Sequence, residues 1–145
     1  MIRLLIVDDH KMVREGLKIY LSTEPEITVV GEAENGEEAA RLAAELRPDV
    51  ILMDLIMPGV DGIEGTKRCL AVCPDTRVIV LTSMPDDELV VPAVRAGALS
   101  YILKDISADE LAETIKKAVS GKPTLHPVAA QRMMQELTAP PRPRE

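Results

Sequence analysis

The hydrophobic pattern of the chain alternates between short apolar runs and segments of helical periodicity. Three runs are almost unbroken, at residues 4–7, 50–53 and 78–81. Strands buried on both faces have this composition, and such strands occur in parallel sheets covered by helices. Two weaker strands are predicted at residues 27–33 and 101–103, and their lower hydrophobicity places them at the edges of the sheet.

Segments of helical periodicity separate these strands. Apolar side chains recur three and four residues apart in residues 13–21, 39–46 and 111–119, which predicts an amphipathic helix in each. Asn35 and Ser107 each precede a glutamate by three residues, a pattern typical of helix N-caps. Five repeats of strand and helix predict an α/β fold: a doubly wound, five-stranded parallel sheet in the order 2-1-3-4-5, flanked by helices.

The fourth helical segment, residues 86–96, is interrupted by Pro92. Proline inside a helix costs about 3 kcal/mol, whereas the first turn of a helix tolerates it. We therefore expect one of two arrangements. Either the helix begins near Val91, with residues 86–90 in a loop, or it kinks at Pro92.

The C-terminal part of the chain departs from the strand-and-helix repeat. Residues 1–122 are expected to form the domain, with Gly121 ending the fifth helix. Residues 123–137 contain a further short helical pattern that starts near Pro127, and residues 138–145 are a proline-rich linker. We expect the chain to stop where another domain would begin.

Composition narrows the class of protein. The chain has 145 residues, of which 46% are hydrophobic and 28% charged, so we expect one folded domain rather than a disordered or fibrous chain. It contains two Tyr and no Phe or Trp, so its core must be aliphatic. The formal net charge of −7 argues against a nucleic-acid-binding surface on this segment.

The sequence also carries signals about location. No apolar run approaches the roughly 18 residues that a membrane span needs, and the N-terminus has no signal-peptide pattern. Cys69 and Cys73 are four residues apart, but no second Cys/His pair could complete a metal site with them. Reduced thiols fit better, so we expect a cytoplasmic protein with no membrane partner.

Polar side chains follow the predicted strands at the points where the strands end. Asp8 and Asp9 follow the first strand, Asp54 follows the third, Thr82 ends the fourth and Lys104 follows the fifth. The carboxyl ends of parallel strands meet at one edge of the sheet, where ligands bind. The sequence therefore predicts that side chains about a hundred positions apart converge on one crevice.

Three carboxylates in one crevice would repel one another unless a cation neutralised them. Oxygen ligands with retained waters suit Mg²⁺. Lys104 adds an ammonium group and Thr82 a hydroxyl, and such groups can stabilise the oxygens of a phosphoryl group in transfer. A carboxylate can itself be the nucleophile that accepts the phosphoryl group.

Several separated motifs lie in order at these strand ends: Asp8-Asp9-His10, residues 53–62 (MDLIMPGVDG), Leu81-Thr82-Ser83 and Leu103-Lys104-Asp105. A further detail, Gly97-Ala98, precedes the fifth strand. The set resembles the receiver domain of bacterial two-component response regulators of the NarL/LuxR type. The resemblance covers residues 1–122 and implies the flavodoxin-like receiver fold. It also implies a helix-turn-helix DNA-binding domain after the linker, which this chain lacks.

The resemblance assigns the metal and the phosphoacceptor. It implies that Asp54 accepts a phosphoryl group from a sensor histidine kinase. Mg²⁺ would be held directly by Asp9, Asp54 and the backbone carbonyl of Ile56, with Asp8 acting largely through water. His10 stands beside the acidic pair and could be read as a metal ligand, but we expect it to face solvent at the start of the first helix.

Further roles are implied by the same resemblance. Lys104 would pair with the phosphoryl oxygens, Thr82 would move toward the phosphate, and Tyr101 would turn inward behind it. Tyr101 could instead simply cover the sheet edge. Ile56 and Met84 stand where family members place or exclude the hydrolytic water, and neither side chain can orient water, so we expect slow self-dephosphorylation.

One departure from the family pattern concerns the residue after Lys104. Receivers commonly carry a proline there, often with a cis peptide bond. This chain has Asp105 instead, so we expect a trans bond.

Partners and competing functions follow from the same reasoning. A receiver is a phosphoacceptor switch and not an enzyme beyond its own phosphorylation and dephosphorylation. It would control transcription, contact DNA only through the absent domain, and could form a homodimer. A receiver that binds partners without phosphorylation is an alternative. An aspartate-based phosphohydrolase is disfavoured because Ile56 replaces its second Asp, and no P-loop motif occurs.

Overall fold

The computed structural model describes residues 1–83 and 87–138. They contain one sheet of five parallel strands in the order β2-β1-β3-β4-β5, so the predicted fold class and strand order are confirmed. The strands are β1 (Ile2–Val7), β2 (Ile27–Ala33), β3 (Val50–Met53), β4 (Arg77–Thr82) and β5 (Ser100–Leu103). The helices are α1 (Lys11–Leu21), α2 (Gly36–Leu46), α3 (Gly62–Val72), α4 (Asp87–Arg95), α5 (Ala108–Val119) and α6 (Pro127–Thr138).

Helices cover both faces of the sheet, and the alternation of side chains along β1 shows how. Leu4 and Ile6 pack on one face against buried side chains of α1 and α5. Leu5 and Val7 point the other way and pack against α2 and α3. Strands with apolar side chains on both faces need helices on both sides, which is why the unbroken apolar runs form the centre of the sheet.

The helix ends follow the predicted capping pattern. Asn35 Oδ1 accepts a hydrogen bond from the Glu38 N–H at 2.8 Å, and Ser107 Oγ accepts one from the Glu110 N–H at 3.2 Å. Gly121 has a positive φ of 78° just after α5, the conformation that favours glycine. The N-cap signals in the sequence therefore mark the starts of α2 and α5 correctly.

The expectation that the fourth helix begins near Val91 is wrong. Helix α4 begins at Asp87 and contains Pro92 in its interior. Pro92 lies beyond the first turn of this helix, so it removes the bond that would run from its N–H to the Glu88 carbonyl. Val90 and Ala93 are buried in the core and hold the helix in place. The kink at Pro92 stays a prediction.

The outer edge of β5 is covered by the segment that leads into α6. The Tyr101 N–H donates to the Thr124 carbonyl at 3.0 Å, and the His126 N–H donates to the Tyr101 carbonyl at 2.8 Å. Helix α6 then packs on α4, where Ala129 is fully buried. The further helix predicted from the sequence is therefore part of the folded body.

The structure also bears on the Lys104–Asp105 peptide bond, the two cysteines and membrane-spanning helices. The Lys104–Asp105 peptide bond is trans, as predicted. Cys69 and Cys73 are both buried and free. Among the described residues, no helix combines the length and the hydrophobicity that crossing a bilayer requires.

Candidate functional site

The strand ends bring the predicted polar residues together. Strands β1 and β3 are neighbours whose last residues pair, and the Asp54 N–H donates to the Val7 carbonyl at 3.0 Å. Asp8 and Asp54 therefore leave adjacent strands side by side. At the far end of the crevice the Lys104 N–H donates to the Thr82 carbonyl at 2.7 Å. The register of the parallel sheet places all these side chains at one edge.

Lys104 lies between two of the carboxylates. Its Nζ is 2.6 Å from Asp8 Oδ2 and 3.5 Å from Asp54 Oδ2. Both aspartates are buried, so their mutual repulsion is poorly screened and the ammonium group offsets it. The sequence assigned Lys104 to the phosphoryl oxygens, whereas its shortest contact in the structure is with Asp8.

Burial disfavours the ionised form of the Asp54 carboxylate. Its side chain is only 7% exposed, and burial is the main reason why its pKa is raised. Lys104 opposes this shift, as does a hydrogen bond from the backbone of Ile56, while Asp8 and Asp9 add to it. The ionised form of Asp54 would therefore gain from a further positive charge nearby.

The acidic residues form a set with the composition of a cation site. Asp8, Asp9, His10 and Asp54 each offer one ligand atom, and these atoms all lie within 4.8 Å of one another. Asp9 Oδ1 is buried and accepts no hydrogen bond from the described residues. Three carboxylates, one of them with a buried oxygen left without a donor, fit a hard divalent cation such as Mg²⁺.

His10 lies at the N-terminus of α1, where the sequence placed it. Its side chain is 67% exposed, as expected for a solvent-facing residue. Its Nδ1 is 3.1 Å from Asp9 Oδ1 and 3.2 Å from Asp8 Oδ1. The contact with Asp9 is close enough for an ion pair with a protonated ring, although it lacks the geometry of a hydrogen bond. The imidazole therefore borders the acidic set.

The remaining predicted residues surround this centre. Thr82 is buried at the end of β4, and Ile56 is 68% exposed on the loop after Asp54. Tyr101 is 1% exposed, because its side chain packs in a cluster with residues of α4 and α6. Its ring is thus turned into the protein. Met84 lies outside the described residues.

Sequence reasoning missed Arg14. Its side chain is 9% exposed, and its Nη1 donates to the Asp8 carbonyl at 2.7 Å while its Nε donates to Glu32 Oε1 at 3.1 Å. A signal was available, because Arg14 shares a helix face with Leu17 and Leu21, three and seven residues later. A cation on the inward face of a helix needs partners, and here one partner is the backbone of residues 8–10, the acidic loop between β1 and α1.

Comparison with known proteins gives consistent matches along the sequence. The family described as response regulator receiver domain matches residues 4–116. The chain is 51% identical over 137 residues to the transcriptional regulatory protein LiaR of Bacillus subtilis, covering 94% of this chain and 65% of LiaR. It is 43% identical over 136 residues to the response regulator protein VraR of Staphylococcus aureus, covering 94% and 65%. The chain thus spans a little under two thirds of these relatives.

Solved structures agree with the sequence matches. A two-component response regulator of the LuxR family from Aurantimonas sp. SI85-9A1 superposes with a TM-score of 0.86 at 33% identity, over 96% of this chain and 99% of that one. The signal receiver domain of NarL from Mycobacterium tuberculosis superposes with a TM-score of 0.79 at 32% identity, over 83% of this chain and 98% of that one. The strand order and the helical layers described above are those of these proteins' fold.

Proposed function

Because the chain belongs to the family of response regulator receiver domains, we propose that Asp54 accepts a phosphoryl group from a sensor histidine kinase in a Mg²⁺-dependent reaction. One observation carries the proposal. A buried carboxylate with a raised pKa lies 3.5 Å from the ammonium group of Lys104 and beside two further carboxylates, Asp8 and Asp9. This arrangement holds a nucleophile, a group that neutralises transferred charge, and cation ligands in one crevice.

The proposed reaction is a transfer between side chains. An Asp54 carboxylate oxygen attacks phosphorus, the bond from phosphorus to the kinase imidazole nitrogen breaks, and an acyl phosphate forms while the imidazole retains its electron pair and takes up a proton. Lys104 and the Thr82 hydroxyl would stabilise the equatorial phosphoryl oxygens.

The metal site proposed for this reaction uses the acidic set. Asp9, Asp54 and the Ile56 carbonyl would hold Mg²⁺, which supplies neutralising charge to the phosphoryl oxygens. Asp8 would act through water, which fits the direct contact between one of its oxygens and Lys104. The buried Asp9 oxygen without a hydrogen bond supports a direct ligand at that position.

The consequence of phosphorylation is proposed by analogy with the relatives. Thr82 would move toward the phosphate and the buried Tyr101 would respond behind it, so that a local charge biases a two-state element. LiaR is named a transcriptional regulatory protein, which supports control of transcription. We propose residues 1–122 as the receiver, with residues 123–137 leading toward an output domain that contacts DNA. A homodimer is part of the same proposal.

Mass spectrometry of the intact chain tests the function. We expect incubation with Mg²⁺ and a small phosphodonor such as acetyl phosphate to add one phosphoryl group, which peptide fragmentation locates on Asp54. Asp54→Asn should abolish the gain, and omission of Mg²⁺ should reduce it at least tenfold. Asp75→Asn, at an exposed turn, is the matched control and should react like the unaltered chain.

Two results would contradict the proposal. A folded chain that gains no mass with donor and Mg²⁺ would favour the alternative of a receiver that binds partners without phosphorylation. A gain of equal size in Asp54→Asn would show that the phosphoryl group resides elsewhere.

A further inference from the structure

Arg14 is a buried cation whose guanidinium donates a hydrogen bond to the backbone of the acidic loop. Its guanidinium makes three polar contacts in different directions: 2.7 Å to the Asp8 carbonyl, 3.1 Å to Glu32 Oε1 and 3.6 Å to Glu34 Oε1. Taking such a group out of water is costly unless its donors are paired. Its contacts therefore define one position for the side chain.

The contact with the Asp8 carbonyl acts on the peptide that joins Asp8 to Asp9. A hydrogen bond from a guanidinium to a carbonyl is charge-assisted and stronger than one between neutral groups. The other side of Asp8 is held as well, because its N–H donates to the Ala33 carbonyl at 3.0 Å. The backbone that carries both carboxylates is thus anchored to α1 through Arg14 and to β2 through Ala33.

Arg14 is itself held by its neighbours. Glu32 accepts from Arg14 through one carboxylate oxygen and from Lys18 through the other, at 3.0 Å. The pKa of Glu32 is lowered, first by the Lys18 hydrogen bond and then by Arg14, so Glu32 is ionised at neutral pH. Of these two cations, Arg14 contacts the acidic loop and Lys18 contacts Glu32 instead. A Lys18 variant is therefore a matched control for an Arg14 variant.

We propose that Arg14 is a positioning residue for the metal-binding carboxylates. It fixes the Asp8–Asp9 peptide so that both carboxylates meet Asp54 at one point, and it touches neither the metal nor the phosphoryl group. The proposal rests on the proposed function for its consequence, the Mg²⁺ dependence of phosphorylation, while the positioning itself can be measured without any phosphodonor. A purely structural tie between α1 and β2 would instead leave Mg²⁺ affinity unchanged.

A Mg²⁺ titration followed by the amide resonances of residues 8–10 tests this directly. Partners that orient metal ligands typically contribute about 10–100-fold to affinity, so we expect Arg14→Ala to raise the Mg²⁺ Kd about tenfold. Arg14→Lys keeps one donor for the Asp8 carbonyl and should recover part of the loss. Lys18→Ala, which loses a Glu32 ion pair but no contact with the loop, should stay within about twofold of the unaltered chain.

Phosphorylation by acetyl phosphate gives a second readout. We expect the Mg²⁺ midpoint of the rate to shift by the same factor in Arg14→Ala, and the rate at saturating Mg²⁺ to return close to that of the unaltered chain. Urea unfolding of all variants separates lost stability from lost affinity. If Arg14→Ala does not fold, Arg14→Lys and Arg14→Gln replace it, with Kd values expected between those of the unaltered chain and the tenfold loss.

The outcomes are separable. Arg14 variants that unfold more easily but bind Mg²⁺ like Lys18→Ala would overturn the positioning role and leave the phosphoacceptor function standing. An unaltered chain that binds Mg²⁺ but takes no phosphoryl group would overturn the function, while a tenfold change in Mg²⁺ Kd would still support Arg14.

Discussion

The buried carboxylate of Asp54 destabilises the folded chain when it is ionised. Burial is the largest cause of its raised pKa; Asp8 and Asp9 add to the shift, while Lys104 and a hydrogen bond from the Ile56 backbone oppose it. The folded pKa therefore lies above the unfolded one. At neutral pH unfolding relieves an unfavourable charge, and this penalty disappears as the pH falls below the unfolded value.

The pH dependence of stability tests that account. Without Mg²⁺, we expect Asp54→Asn to raise the free energy of unfolding at neutral pH, because asparagine fills the same volume without the buried charge. The gain should shrink as the pH falls toward about 4, where aspartate protonates in the unfolded chain. Urea unfolding across this range measures it, and Asp75→Asn is the exposed control. A difference in the free energy of unfolding that does not change with pH, or an Asp54→Asn variant that is less stable at neutral pH, would contradict the explanation.

Ile56 and Met84 also act as single residues, because each stands where family members place or exclude the hydrolytic water. Ile56 is exposed at the rim of the crevice, and a branched alkyl group cannot orient an attacking water. We expect Ile56→Asn and Met84→Asn to shorten the lifetime of the acyl phosphate severalfold, measured as the decay of phosphorylated mass after the donor is removed. Met134→Asn, on the exposed side of α6, should leave the lifetime unchanged. Unchanged decay in both site variants would count against this role.

At the scale of elements, α4 shows packing overriding local preference. Pro92 interrupts the helical pattern, yet the helix runs through it because buried neighbours such as Val90 and Ala93 hold its inner face in the core. Pro92 itself is exposed. The sequence predicted a helix here but not its start, since local propensity cannot weigh burial that depends on other elements.

A substitution at Pro92 follows from this. Restoring the hydrogen bond to the Glu88 carbonyl and removing the clash with it should stabilise the helix by about 3 kcal/mol. Greater freedom of the unfolded chain should offset up to about 1 kcal/mol of this gain. We expect Pro92→Ala to raise the free energy of unfolding by about 2 kcal/mol in urea. Pro74→Ala, the same change in an exposed turn, should lower it by about 0.4–1 kcal/mol. A gain of equal size in both variants would refute the helical explanation.

Helix α6 illustrates a second limit at this scale. Its existence follows from its apolar spacing, and the helix runs from Pro127 to Thr138. Its position against α4, and the pairing of the preceding segment with β5, do not follow from that spacing. Periodicity shows that one face of a helix is buried without identifying the surface that buries it.

At the scale of the whole molecule, topology makes the site. Lys104 and Asp8 are 96 residues apart in sequence, yet their charged atoms are 2.6 Å apart. This convergence could be anticipated because every strand of a parallel sheet ends at the same edge. A net charge of −7, with Asp8, Asp9 and Asp54 at that edge, also favours attraction of a cation.

The amino-acid sequence alone was sufficient to determine the α/β class, the strand order and the edge of the sheet that holds Asp8, Asp54 and Lys104, because hydrophobic periodicity and parallel topology dictate them. Tertiary structure alone decided that Lys104 pairs with Asp8, that Arg14 holds the backbone of the acidic loop, and that the segment before α6 covers the edge of β5. The reason is physical. Periodicity reports which face of an element leaves water, whereas the partner of a buried charge depends on distances of a few ångströms between elements.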